Sequence, residues 1–276
     1  MGFLGSLNRA ISFYGNATVS RDLLLGLVAA VVSFSTTVSC GPKTKKKITD
    51  KVQTECVLPE NQIYSLQGRW AAPPIKLSFK NNEWDSAQIT EIQAGANTWN
   101  AFFNLSKGFS IFDAGPAGTG NVSSASQATP SCASGTLTDG TVIYNRSSGW
   151  TKSATAIAVT TTCFSTTNGI ARIFNSIMEF NYVSFFNTAS GRFPDLQSIA
   201  LHEMGHLMGL DHSCGPLGRP NANKPNVACP DPNASPDDPL VQAVMFRNVL
   251  FDSAGNGEVK RELQDNDQGR ANCLYQ

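Results

Sequence analysis

The chain has 276 residues, a formal net charge of zero at pH 7 and only 15% charged residues. A hydrophobic content of 41% allows a sizeable buried core, and the length suits one large domain or two small ones. The balanced charge argues against a nucleic-acid partner, because binding phosphates requires clustered Lys and Arg.

The first 39 residues have the features of an export signal. Arg9 and Arg21 precede an apolar run at 23–34, which is short for a membrane span and fits a signal-peptide core. An uncleaved membrane anchor is the alternative. Thr37-Val38-Ser39-Cys40 resembles a bacterial lipobox, in which the Cys is acylated and becomes the first mature residue. The resemblance implies a protein of the bacterial cell envelope that is held by lipid at the outer membrane or cell surface.

The polar segment at 40–68 predicts a tether, and one domain is expected over 69–276. Alternating apolar and polar residues at 75–79 predict a strand. Apolar residues at helical spacing predict a helix over 84–103, with Asp85 placed to cap its start.

The middle of the chain predicts further strands. Short apolar or β-branched runs indicate strands at 109–112, 141–144 and 156–162, and the Gly- and Ser-rich stretch at 115–135 indicates a loop. The segment at 170–180 fits a strand or a helix by pattern alone.

The clearest helix prediction covers 195–210. Asp195 is a plausible cap, and Gly209 lies where a glycine can end a helix in the left-handed conformation. Many Pro, Asn and Asp residues predict a long loop over 214–240, and 263–275 fits a last helix.

The helix predicted over 195–210 carries a metal-binding pattern, which continues past its end in the sequence LHEMGHLMGLDHS from Leu201. His202 and His206 are four residues apart, so both imidazoles lie on one side of a helix and can reach one Zn²⁺. Gly209 allows a turn that returns His212 as a third ligand, which leaves the fourth position open. Glu203 lies close to a water bound at such a metal and can act as general base, then general acid.

The chain has only three histidines, and all three lie in this pattern. HExxH alone arises by chance in a few per cent of chains of this length, and the added Gly and His lower this to roughly one in ten thousand. The alternative is that they are ordinary surface or core histidines on an amphipathic helix.

The pattern HExxHxxGxxH resembles the signature of the metzincin zinc peptidases, and the chain resembles their matrixin branch. The sequences DLQS at 195–198 and LQDNDQGRANCLY from Leu263 also match that branch. The resemblance spans about 68–276. It implies an α+β domain with a twisted mixed five-stranded sheet, a long first helix, a zinc-binding helix and a C-terminal helix.

The resemblance also implies roles outside the motif. Met245 fits the methionine turn beneath the zinc, although plain core filling would also explain a Met here. The segment at 170–181 becomes a strand, and an edge strand with Ile157, Ala158 and Val159 would bind an extended peptide substrate.

Three features depart from the family. A cysteine-switch propeptide motif is absent, and without a fourth His a second structural zinc is not expected. Calcium is possible, but no calcium site is assigned.

The seven cysteines fit an exported protein. If Cys40 carries lipid, six remain, and an even number suggests disulfides, with free buried thiols as the alternative. Cys214 with Cys229 is the first choice because the pair closes a short loop. By elimination, the other pairs are Cys132 with Cys163 and Cys56 with Cys273.

The expected function is hydrolysis of peptide bonds in protein substrates by an endopeptidase with one catalytic zinc. A non-catalytic zinc-containing binding module on the cell surface is the alternative. A latent enzyme that requires trimming or release from a partner is a third possibility.

Overall fold

The computed structural model describes residues 52–58, 66–115, 140–167, 170–215 and 227–276, and the backbone of strands at 9–15 and 123–125. The strands are β1 (Arg9–Gly15), β2 (Arg69–Trp70), β3 (Ile75–Lys80), β4 (Phe112–Asp113), β5 (Ser123–Ala125), β6 (Gly140–Asn145), β7 (Ala156–Thr167), β8 (Ile170–Phe180) and β9 (Asn248–Val249). The helices are α1 (Ser86–Lys107), α2 (Leu196–Met208), α3 (Pro239–Gln242) and α4 (Asp265–Leu274).

Five strands form a mixed sheet in the order β4-β3-β6-β8-β7. Neighbours are parallel except β7, which runs antiparallel to β8. This sheet and its helices confirm the expected α+β class. The strands β1, β2, β5 and β9 extend the sheet to nine, so the expected five strands are one continuous part of it.

Helix α1 begins and ends at local sequence signals. Asp85 and Gln88 form a reciprocal capping box, and Gly108 ends the helix in the left-handed conformation. Its buried face packs on α2, where Trp99 Nε1 donates to Leu201 O at 2.9 Å. A β-carbon at Gly95 would lie 2.9 Å from Leu201 N, so the glycine permits this close helix contact.

Helix α2 is capped by Asp195, whose carboxylate accepts from Ser198 N. It stops at Gly209, which has a φ of +117°. A β-carbon there would lie 1.8 Å from Gly68 O, so both the backbone angle and the space require glycine. The chain therefore turns back three residues before His212.

The tether is shorter than predicted. Residues from Val52 onward belong to the same compact unit as the sheet. A disulfide joins Cys56 to Cys273, and Val57 N donates to Gly269 O at 3.1 Å. The disulfide agrees with the pair expected by elimination. The polar composition of the segment did not predict the rest of this docking, because the hydrogen bonds that α4 makes with it use the backbone groups of the segment.

Two other boundaries differ from the predictions. Strand β4 begins at Phe112, at the end of the predicted strand at 109–112. Strand β5 lies inside the predicted loop at 115–135, where its backbone pairs in parallel with β3. Short pairings of this kind depend on a neighbouring strand, which local sequence patterns do not encode.

Strand β7 is not at the edge of the sheet in this chain. The N-terminal strand β1 pairs with it antiparallel, with Ile11 opposite Thr160, and also pairs in parallel with β9. The prediction of a free edge strand is therefore wrong for the chain that retains its N-terminus. An edge exposes backbone groups to which any extended segment can add.

No helix among the described residues is long and apolar enough to span a membrane. The apolar run at 23–34 and Cys40 lie outside the described residues.

Candidate active site

The last half of α2 and the turn after it bring the three histidines together. One nitrogen of each lies within 4.8 Å of the others, and all three side chains are buried. His206 Nε2 and His212 Nε2 are 3.2 Å apart. Two nitrogens bound tetrahedrally to Zn²⁺ at about 2.0–2.1 Å would be separated by about 3.3–3.4 Å, so this spacing fits a shared zinc.

Backbone carbonyls set the orientation of two of these imidazoles. His202 Nδ1 lies 2.7 Å from Val244 O, and His206 Nδ1 lies 2.8 Å from Leu210 O. A carbonyl only accepts, so each Nδ1 carries the proton and each Nε2 keeps the lone pair that a metal needs. The donor set therefore fits zinc in ligand type and in protonation.

Burial also keeps His202 neutral. Its pKa lies well below the usual value, first because burial disfavours the charged form and second because His206 is close. A neutral imidazole is the form that coordinates a metal. Among the described residues, this is the one group of three or more His, Cys, Asp or Glu side chains close enough to share an ion.

Glu203 is fully buried beside this group, and its two carboxylate oxygens differ. Oε2 accepts a 2.6 Å hydrogen bond from Thr160 Oγ1 on β7, whereas Oε1 has no hydrogen-bond partner among the described residues. Burial raises the pKa of Glu203 to about 8, and the hydrogen bonds from Thr160 oppose that rise. A bound divalent cation would favour the ionised form.

Thr160 was not identified from the sequence as a functional residue. It is one of several threonines in β7, and no sequence signal distinguishes it from them. Its contact with Glu203 depends on the packing of β7 against α2.

Met245 lies directly against the centre of the motif. A β-carbon on Gly205 would meet Met245 Sδ at 2.2 Å, so the glycine makes room for the methionine under α2. Met245 O accepts from Ser213 N at 2.8 Å, next to the third histidine. The preceding residue supplies the carbonyl that orients His202.

Two side chains from α4 that the sequence did not mark as functional support the backbone around the site. Asp267 accepts from Val244 N at 2.8 Å and from Met245 N at 3.1 Å. Arg270 donates to the backbone next to the third histidine. Their sequence signal is weak, because charged residues in a terminal helix normally face solvent.

The remaining predicted site residues fall into three groups. Ile157, Ala158 and Val159 are buried in β7. Cys214 and Cys229 form a disulfide that begins two residues after His212. Cys163 is also disulfide-bonded, whereas Cys132 and Cys40 lie outside the described residues, so their pairing and lipidation remain predictions.

Comparison with known proteins agrees with this geometry. The family model described as matrixin, a peptidase family, matches residues 69–217, which include the three histidines and Glu203. A search of the curated proteins found no match. The family suggests zinc metallopeptidase activity, and the histidine cluster could hold the metal. Because the match covers more than half of the chain, the chain belongs to the matrixin family of peptidases.

Proposed function

We propose that this chain is a zinc-dependent endopeptidase that hydrolyses peptide bonds within proteins. The observation that carries the proposal is the buried arrangement of three histidines beside a carboxylate with one available oxygen. Three protein ligands leave one coordination position for water or substrate, which suits a catalytic site better than a closed structural one.

The site residues have two proposed roles, which are metal binding and proton transfer. His202, His206 and His212 would hold the zinc. A bound zinc would act as a Lewis acid that lowers the pKa of water and polarises the scissile carbonyl. Glu203 would accept the proton of the attacking water at Oε1 and later donate it to the leaving amine. Thr160 holds Oε2, which fixes the direction in which Oε1 points.

We propose that the substrate lies as an extended peptide along Ile157, Ala158 and Val159 of β7. The pairing of β1 supports this site, because an extended segment of the chain lies against β7 and β9 there. A substrate would need that space, so residues 9–15 would have to leave first. Removal of residues 1–39 as an export signal would free it.

The proposed location follows from the same N-terminal segment. Export, cleavage before Cys40 and acylation of that Cys would anchor the mature enzyme in the bacterial envelope. Labelling cells with a fatty-acid probe tests this: the wild-type chain should take up label, and Cys40→Ala should not. Equal labelling of both chains would exclude lipidation at Cys40.

The activity is tested with Glu203→Gln, which removes the proton acceptor and nearly preserves shape. The variant should retain zinc, measured by metal analysis, and lose nearly all cleavage of casein. Wild-type cleavage should also stop with a chelator and return with added zinc. Zinc binding without cleavage by the correctly processed wild-type protein would favour the non-catalytic binding module.

A further inference from the structure

Arg270 is a buried arginine in the last helix of the chain, α4. Its side chain has no solvent exposure. A fully buried guanidinium is costly unless its donors are used, so its contacts indicate what it does. Nε donates to Asn266 Oδ1 at 3.0 Å within the same helix, and Nη1 leaves the helix towards the histidine site.

Nη1 reaches the backbone that carries the third histidine. It donates to Asp211 O at 2.9 Å and to His212 O at 3.4 Å. This segment follows Gly209, so no helical hydrogen bonds hold it in place. Its orientation therefore depends on contacts from outside α2, and Arg270 supplies two of them.

The same helix also holds the other side of the site. Asp267 lies one turn before Arg270, with Oδ1 at 3.8 Å from Arg270 Nη2. Its two oxygens accept from the amides of Val244 and Met245. Val244 O in turn orients His202. The Asp267–Arg270 pair thus connects the turn that orients the first histidine with the segment that carries the third.

We propose that Arg270 is a positioning residue that fixes His212 for metal binding, with Asp267 as its ionic partner. The inference rests on the proposed zinc site. A planar guanidinium offers several donors in a fixed fork, so one group can bond a carbonyl of the ligand segment and still face the carboxylate. A lysine ammonium is a single flexible point charge and does not reproduce that fork.

The test uses Arg270→Met, which keeps the apolar length of the side chain, and Arg270→Lys, which keeps the charge facing Asp267. Metal affinity is measured in the full chain by competition with a chromogenic chelator, and ligand geometry by the visible spectrum after Co²⁺ substitution. Loss of a group that orients a metal ligand typically weakens metal binding about 10- to 100-fold. We expect a loss in that range for Arg270→Met, a smaller loss for Arg270→Lys, and an altered Co²⁺ spectrum in both.

Arg146→Met is the matched control. Arg146 makes a 2.7 Å ion pair with Glu179, and neither residue contacts the three histidines in the hydrogen bonds and ion pairs observed. This variant should lose thermal stability and keep the wild-type metal affinity and Co²⁺ spectrum. The comparison separates general destabilisation from a change at the metal ligands.

The outcomes distinguish this inference from the proposed function. Folded Arg270→Lys with wild-type metal affinity and a wild-type Co²⁺ spectrum would overturn the inference and leave the zinc site intact, even if Arg270→Met did not fold. A wild-type chain that bound neither Zn²⁺ nor Co²⁺ would overturn the zinc site itself, and the inference with it.

Discussion

Glu203 Oε2 and Thr160 Oγ1 are joined by a 2.6 Å hydrogen bond between α2 and β7. The bond connects the proposed proton acceptor with the strand on which the substrate is proposed to lie. One carboxylate oxygen is thereby anchored, while the other has no hydrogen-bond partner among the described residues. We therefore expect the proposed activity to depend on a residue outside the metal-binding motif.

Thr160→Val removes the hydroxyl and nearly preserves volume. Hydrogen bonds to charged groups contribute about 1.5–3 kcal/mol, so we expect kcat to fall by about ten- to a hundredfold with a smaller change in KM. Thr160→Ser should retain most of the activity because it keeps the hydroxyl. Steady-state cleavage of a fluorogenic peptide measures both constants, and equal kcat values for the Val and Ser variants would refute a role for this bond.

Gly209→Ala should destabilise the protein and weaken metal binding. An alanine at this position would have to keep a φ of +117°, and its methyl group would overlap Gly68 O. The turn to His212 must therefore shift. Gly108→Ala is the control, because Gly108 also has positive φ but has open space around its β-carbon. The Gly108→Ala variant should lose about 1 kcal/mol of unfolding free energy, because alanine is disfavoured by about that much in the left-handed conformation. Its metal affinity should not change. Urea unfolding and chelator competition measure the two effects, and an equal loss of stability in both variants would show that the approach of Gly68 does not matter.

Gly205→Ala should also destabilise the protein, through contact with Met245 Sδ. Overpacking a core costs about 1–3 kcal/mol. The double variant Gly205→Ala/Met245→Ala should be more stable than the sum of the two single effects predicts, because truncating Met245 makes room for the methyl group. Additive losses in thermal unfolding would show that the two positions are not coupled.

The stability of the protein should fall in acid partly through Asp195. Burial alone would raise the pKa of this carboxyl, but hydrogen bonds from Arg261 and Ser198 outweigh that effect, and the net pKa lies below the usual 3.8. A pKa lowered on folding adds stability above the unfolded value, and that stability is lost as pH falls from about 3.8 through the folded pKa. Asp195→Asn, which cannot ionise, should be less stable than wild type at pH 7, and the difference should shrink in acid. A difference that stays constant down to pH 2 would contradict this.

The metal-binding motif could be predicted from the sequence because its determinants are local. A four-residue spacing places His202 and His206 on one helical face, and Gly209 ends the helix in the left-handed conformation three residues before His212. Strand β3 and helices α1, α2 and α4 followed from equally local patterns. Asp85 and Asp195 cap their helices as expected.

The supporting groups could not be predicted because each acts across a long sequence separation. Thr160 lies 43 residues from Glu203, and Arg270 lies 58 residues from His212. No periodicity links such pairs, and the tertiary packing alone brings them together. The same holds for the pairing of β1 with β7, which joins the two ends of a long intervening sequence.

The central claim is that three imidazoles share one zinc ion and leave a position free. X-ray absorption at the zinc edge of the purified protein tests it most directly. We expect three nitrogen ligands at about 2.0–2.1 Å and one exchangeable oxygen, with one nitrogen lost in His212→Ala. A fourth protein ligand, or a spectrum unchanged in His212→Ala, would contradict it.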